Sequence, residues 1–122
     1  MTYSARRSAA VCVLALIGAL SVYSVPARAS GYAANVTITR IETLYPSGHF
    51  LFYVSGTISG SPSCAVLPAT GFVVDGTTAA GKALISLVEV AYTTGKTLTM
   101  GGNNLCDVRS GYETIADIWT TN

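Results

Sequence analysis

Two periodicities follow one another along this chain. Residues 36–44 read V-T-I-T-R-I-E-T-L, a β-branched run in which apolar and polar positions alternate, as in a half-buried strand. The alternation slips once. Val36 and Ile38 share a face, but Ile41 has the other parity. A β-bulge near Arg40 would return Ile41 to the inward side. Tyr45-Pro46-Ser47-Gly48-His49 reads as a turn, because Pro pre-sets one turn dihedral and Gly48 can take positive φ. Residues 50–56 predict a second strand with Phe50, Phe52 and Val54 on one face, so the two runs form a hairpin. A Gly/Ser/Pro loop leads to Cys64, and G-F-V-V-D at 71–75 predicts a short third strand.

The period then changes from two to 3.6. Over residues 77–94, apolar side chains recur at Ala80, Ala83, Leu84, Leu87, Val88, Ala91 and Tyr92, while Lys82, Ser86, Glu89 and Thr93 are polar. That spacing predicts a helix with one buried face. It can be capped by Asp75, Thr77 or Thr78, and Gly95 can end it in the left-handed conformation. Residues 97–100 predict a fourth strand, Gly101-Gly102-Asn103-Asn104 a turn or loop, and residues 111–120 a last strand anchored by Ile115 and Ile118. The chain is therefore mainly β with one helix, in the order β-β-β-α-β-β. A five-stranded OB-fold barrel has this order. An open α+β sheet with one helix packed on it has it too, and periodicity does not separate them.

The N-terminal segment follows a different logic. Arg6 and Arg7 precede an uncharged Ala/Val/Leu-rich run at 9–22, and Val25-Pro26-Ala27-Arg28-Ala29 supplies small residues two apart. This is the layout of a cleavable signal peptide over residues 1–29, cut after Ala29. The expected product is a single domain of residues 30–122, secreted or periplasmic and without membrane insertion. Removing 29 of 122 residues leaves 93 and changes the charge. Arg40, Lys82, Lys96 and Arg109 face Glu42, Asp75, Glu89, Asp107, Glu113 and Asp117, so the whole-chain +1 becomes −2. Without a basic patch, nucleic acid is excluded as an expected partner. Cys12 leaves with the signal, and Cys64 and Cys106 remain. An even pair in a small exported domain reads as a disulfide. The closed loop of 43 residues is no metal or C-x-x-C redox motif, and His49 is the only imidazole.

Catalytic chemistry finds little support. His49 sits beside a turn glycine and reads as a solvated turn residue, and no G-x-S-x-G occurs. Glu113 and Asp117, four apart on a predicted strand, would lie about 13 Å apart, too far for a glycosidase pair. They read as solvated surface acids. No enzyme activity, cofactor or metal is expected. Asn35-Val36-Thr37 is a formal glycosylation sequon, read as chance beside a bacterial-type signal. The softer chemistry lies in six rings with polar tips, Tyr32, Tyr45, Tyr53, Tyr92, Tyr112 and Trp119, which suit sugars and interfaces or fill a core and its rim. Asn103, Asn104 and Asp107 form a polar cluster near Cys106 that suits a glycan contact or a tight loop equally.

The V-T-I-T at 36–39, Cys64 after the second strand, and the helix ending Y-T-T-G-K at 92–96 resemble the subtilase cytotoxin B subunit and related pertussis-like toxin B subunits. The resemblance spans residues 36–119. It implies an OB-fold, a homo-pentameric ring with the helix lining the pore, and binding of cell-surface glycans. The family's sugar site uses a serine just before the first strand, where this chain has Ala34. It also uses a tyrosine after the fourth strand, which would fall near Gly101 or Gly102. Two functional expectations follow. One is a secreted non-enzymatic binding module of toxin-B-subunit type, touching a glycan or a secreted partner protein. The other is a small secreted structural or interaction protein with the same barrel and no sugar site.

Overall fold

The computed structural model describes residues 30–120. The expected signal peptide and its cleavage after Ala29 lie outside the described residues. Seven elements follow in order: β1 (Tyr32–Val36), β2 (Ile38–Leu44), β3 (His49–Val54), β4 (Gly71–Asp75), α1 (Ala79–Thr94), β5 (Leu98–Gly102) and β6 (Glu113–Thr120). The strands form one six-stranded sheet in the order β1-β5-β6-β4-β3-β2. β4 and β6 run parallel, and every other neighbouring pair is antiparallel.

The expected five-stranded barrel is corrected on two points. There are six strands, and the sheet is open, with β1 and β2 as its two edges. Both differences arise at Thr37, the single residue between them. The run expected as one strand is broken there, so that its first part pairs with β5 and its second with β3. Thr37 itself turns aside to the end of β3, where its N–H donates to Ser55 Oγ and its carbonyl accepts from Ser55 N. Gly101 and Gly102, expected in a turn, are the last residues of β5.

Three bulges explain the bend and the burial pattern. One extra residue enters β1 between Ala33 and Val36, one enters β2 between Ile38 and Arg40, and the register shifts again where Ile115 and Asp117 face Gly102 and Gly101. Each sits inside a pair of apolar residues three apart: Ala33/Val36, Ile38/Ile41 and Ile115/Ile118. Three is the wrong spacing for one face of a regular strand, and one inserted residue corrects it. All six pack into the main core with Phe50, Phe52, Phe72, Leu98 and Met100. The bulge expected near Arg40 is among the three. In β1 the bulge is taken up by Asn35 at φ 52°, a conformation that Asn tolerates better than most residues.

The hairpin has the expected form, with Leu44 opposite His49 and Gly48 N–H donating to Leu44 O at 3.1 Å. Thr78 caps α1 by accepting from Gly81 N at 2.9 Å, and Gly95 ends it at φ 67°. The buried helix face differs from expectation. It is centred on Gly81, Val88 and Ala91, with Leu84 and Ile85 beside them. Ala80, Ala83, Leu87 and Tyr92 are exposed. Apolar residues cover more than half the helix circumference, so periodicity cannot choose the centre. The close approach of Gly81 to the Asp75 carbonyl sets the rotation, since a Cβ there would collide with that oxygen.

Glu113 opens β6 and is 1% exposed, which overturns its reading as a solvated acid. Its two carboxylate oxygens accept from Gly31 N at 2.9 Å, and Oε1 also accepts from Asn104 N at 2.9 Å. The carboxylate thus joins the entry to β1, the end of β5 and the start of β6. A Cβ at Gly31 would strike Oε2, and one at Gly102 would strike the carboxyl carbon. Cys64 and Cys106 are disulfide-bonded with Cα atoms 6.1 Å apart, joining the β3–β4 loop to the β5–β6 loop. In the chain-entropy model such a loop gives up to about 4 kcal/mol.

Two outcomes follow. Val88→Asp should unfold the protein, because it places a carboxylate in the centre of the core, while Leu87→Asp should leave the thermal midpoint within a few degrees. Equal melting of the two variants would refute the assigned face. Glu113→Gln turns an amide NH₂ toward backbone donors and should lower stability in urea by about 2 kcal/mol or more; an unchanged midpoint would show that the clamp carries no stability.

Candidate functional site

The six rings fall into separate places, set by strand parity. On the outer face of β1, β5 and β6, Tyr32 lies opposite Gly101, and Gly101 lies opposite Asp117. A side chain at Gly101 would begin 3.6 Å from the Trp119 ring. Tyr32 and Trp119 are 48% and 47% exposed. The two rings therefore flank a position without a side chain, and the exposed Asp117 stands on the same strand as Trp119. The bulge at Ala116 makes this arrangement: Ile115 and Ile118 turn inward, so Asp117 and Trp119 turn outward. Asp117 and Glu113, expected to share a face, are consequently separated, one outside and one buried.

A second cluster lies on the outer face of β3 and β4. Leu51, Val73 and Tyr112 are buried there, with Leu44, Tyr53 and Val108 packed against them. The Tyr53 and Tyr112 hydroxyls lie 3.2 Å apart and share a hydrogen bond, with the rings edge to face. Arg40 stacks over Tyr53 at 5.1 Å and Arg109 over Tyr112 at 5.9 Å. Arg40 also forms an ion pair with Glu42. Burial raises the Tyr53 hydroxyl above its ordinary value, the bond to Tyr112 adds to this, and the two arginines oppose it.

Tyr45, 98% exposed, belongs to a third feature. A cleft of about 430 Å³ separates the β2–β3 turn from α1 and is lined by Leu44, Tyr45, Pro46, His49, Ile85 and Glu89, among others. His49 is corrected here as well. It is the half-buried first residue of β3, opposite Leu44 and Asp75, and the Thr77 hydrogen bonds hold the Asp75 carboxyl below its ordinary value. Tyr92 stands alone on α1.

The polar cluster near the disulfide builds its own loop. Asn103 Oδ1 accepts from Leu105 N, Asn104 takes φ 65°, and Asp107 Oδ1 accepts from Thr114 Oγ1 at 2.6 Å. The hydrogen bond from Thr114 holds the Asp107 carboxyl below its ordinary value. Among the described residues, no three His, Cys, Asp or Glu side chains come together as metal donors would, and no helix is long and apolar enough to cross a membrane. Comparison with protein-family models, curated proteins and solved structures finds no match to this chain.

Sequence reasoning found the rings but not their grouping. It also missed that Arg40 lies over Tyr53 and Arg109 over Tyr112. The only sequence signal for the Tyr32–Trp119 arrangement was the Ile115/Ile118 spacing, which demands a bulge.

Asp107 sets a pH dependence. A carboxyl held low in the folded state contributes its stability fully above the ordinary Asp value of about 3.9, and that contribution is lost as pH falls through the lower folded value. Thr114→Val should therefore flatten the acid limb of a stability–pH curve measured by urea unfolding. Parallel acid limbs for the two proteins would refute the coupling.

Proposed function

We propose that this protein is a secreted, non-enzymatic binding module whose ligand is a carbohydrate seated on Tyr32, Gly101 and Trp119. One observation carries the reading: two half-exposed rings flank a glycine on the outer sheet face, with an exposed carboxylate beside them. Aromatic faces accept the C–H side of a sugar ring, and their polar tips suit a wet surface. Asp117 can accept from sugar hydroxyls. Gly101 leaves the space between the rings unfilled. In the toxin-B-subunit resemblance a tyrosine is expected near Gly101 or Gly102; here rings on both neighbouring strands flank that position instead, and Ala34 leaves the serine role empty.

Other features support the same class. Counting β1, Thr37 and β2 as one bent strand makes the neighbour order 1-2-3-5-4-1, with that strand at both ends and strands three and five parallel. That is OB-like connectivity, in which the two ends of the open sheet are joined only along the chain at Thr37. The Cys64–Cys106 bond suits an oxidising compartment, in keeping with the expected signal peptide and a periplasmic or secreted location. The alternative, an interaction protein without a sugar site, is favoured by α1. Its outward flank exposes Ala83, Leu87 and Val90, the last at 59%, a surface suited to packing between copies in a homo-pentamer.

A glycan array with purified protein tests the first reading. Retained glycans should be lost with Trp119→Ala, by about fivefold to tenfold in affinity, with unchanged thermal stability. No retained glycan, or full retention by the variant, would refute the sugar site. Light scattering then separates the readings further: a pentameric mass without glycan retention supports the interaction protein, and a single-chain mass removes the ring.

A further inference from the structure

Arg40 and Arg109 are the only arginines in residues 30–120, and they lie 69 positions apart in the chain. Both nevertheless stack on the two hydrogen-bonded tyrosines, and both act on the Tyr53 hydroxyl. A guanidinium carries five N–H donors in one plane, more than a ring face engages. In the Tyr53–Tyr112 pair one hydroxyl hydrogen lies between the oxygens, so the other hydroxyl keeps a hydrogen to donate outward. Burial keeps the Tyr53 phenol neutral, a donor and not a competing anion.

The ground beneath these donors is rigid. Leu51 and Val73, 1% and 0% exposed, lie under the rings, and Tyr112 is itself buried. Arg40 shares its charge with Glu42, and among the described residues Arg109 has no carboxylate against it. A net-negative domain thus places its two guanidiniums over one pair of hydrogen-bonded tyrosines.

We infer that this face binds a small oxyanion, a carboxylate or a sulfate group, held between the Arg40 and Arg109 guanidiniums beside the Tyr53–Tyr112 hydroxyls. Planar forks of N–H donors match such groups in a bidentate manner, and charge-assisted bonds are the strong ones. The site lies on β2, β3 and the β5–β6 loop, apart from the Tyr32–Trp119 platform, and does not depend on it.

Titration of the ¹⁵N-labelled protein tests the assignment, with the disulfide intact and ionic strength held constant with chloride. The probes are inorganic sulfate, glucuronate and neutral glucose. The Arg40 and Arg109 Nε–H resonances should shift saturably with sulfate or glucuronate and not with glucose. Tighter binding of glucuronate would assign a carboxylated sugar, and tighter binding of inorganic sulfate a sulfate group. Arg109→Gln should weaken the binding about tenfold while its amide spectrum stays that of a folded protein, and Arg40→Gln should weaken it as well. Trp119→Ala should leave it unchanged, which separates this site from the sugar platform. No saturable shift, an equal response to chloride alone, or unaltered affinity in Arg109→Gln would overturn the inference.

Discussion

The buried carboxylate of Glu113 is the constraint on which the arrangement of this protein depends. A carboxylate out of water must be met by donors, and the nearest are backbone amides from two other parts of the chain. Gly31 comes to it from the start of β1 and Asn104 from the loop after β5. Meeting that demand closes the corner where β1, β5 and β6 converge. It also dictates sequence: Gly31 and Gly102 have no room for a Cβ, and Asn104 must take positive φ. With that corner fixed, β1 lies against β5, and Tyr32 arrives opposite Gly101.

The bulges do the complementary work. Each shifts strand parity by one, so that apolar residues three apart meet the same core. Each also sends the residues beyond it to the opposite face. The bulge in β6 places Asp117 and Trp119 outside, and the bulge in β2 places Arg40 outside, above Tyr53. Core packing and surface chemistry are therefore decided by the same three insertions. A regular β6 would keep Ile115, Asp117 and Trp119 on one face and place Ile118 on the other, so Trp119 would turn inward with Ile115 and the Tyr32–Trp119 grouping would not form.

The sheet then carries two outer patches with different chemistry. Around Gly101 there are exposed rings and one carboxylate, a surface for hydroxyl-rich ligands. Around Tyr53 and Tyr112 there are guanidiniums on a rigid aromatic base, a surface for an anionic group. The helix covers the opposite side of the sheet and leaves its own apolar flank outward. The open edges at β1 and β2 meet through Thr37, so neither is a long, unprotected edge of the kind that invites pairing.

Much of the local structure was legible in the chain. Alternation located the β2–β3 hairpin, a short apolar run located β4, the 3.6 period located α1, and capping chemistry placed its start at Asp75, Thr77 or Thr78 and its end at Gly95. The Cys64–Cys106 pair followed from their number and setting, and the parity slip before Ile41 located one bulge. These features are determined by contacts between residues close in sequence, or by arithmetic with a single solution. The rest needed the tertiary structure. Glu113 looks like any strand-end acid until Gly31, 82 residues away, is brought to it. Leu87 and Val88 are equally apolar, and only the approach of Gly81 to Asp75 decides which is buried. The grouping of Arg40 with Arg109, and of Tyr32 with Trp119, depends on strand order and on bulges acting together. Sequence spacing alone determines which residues share a face of one element; which faces of distant elements meet is settled by packing.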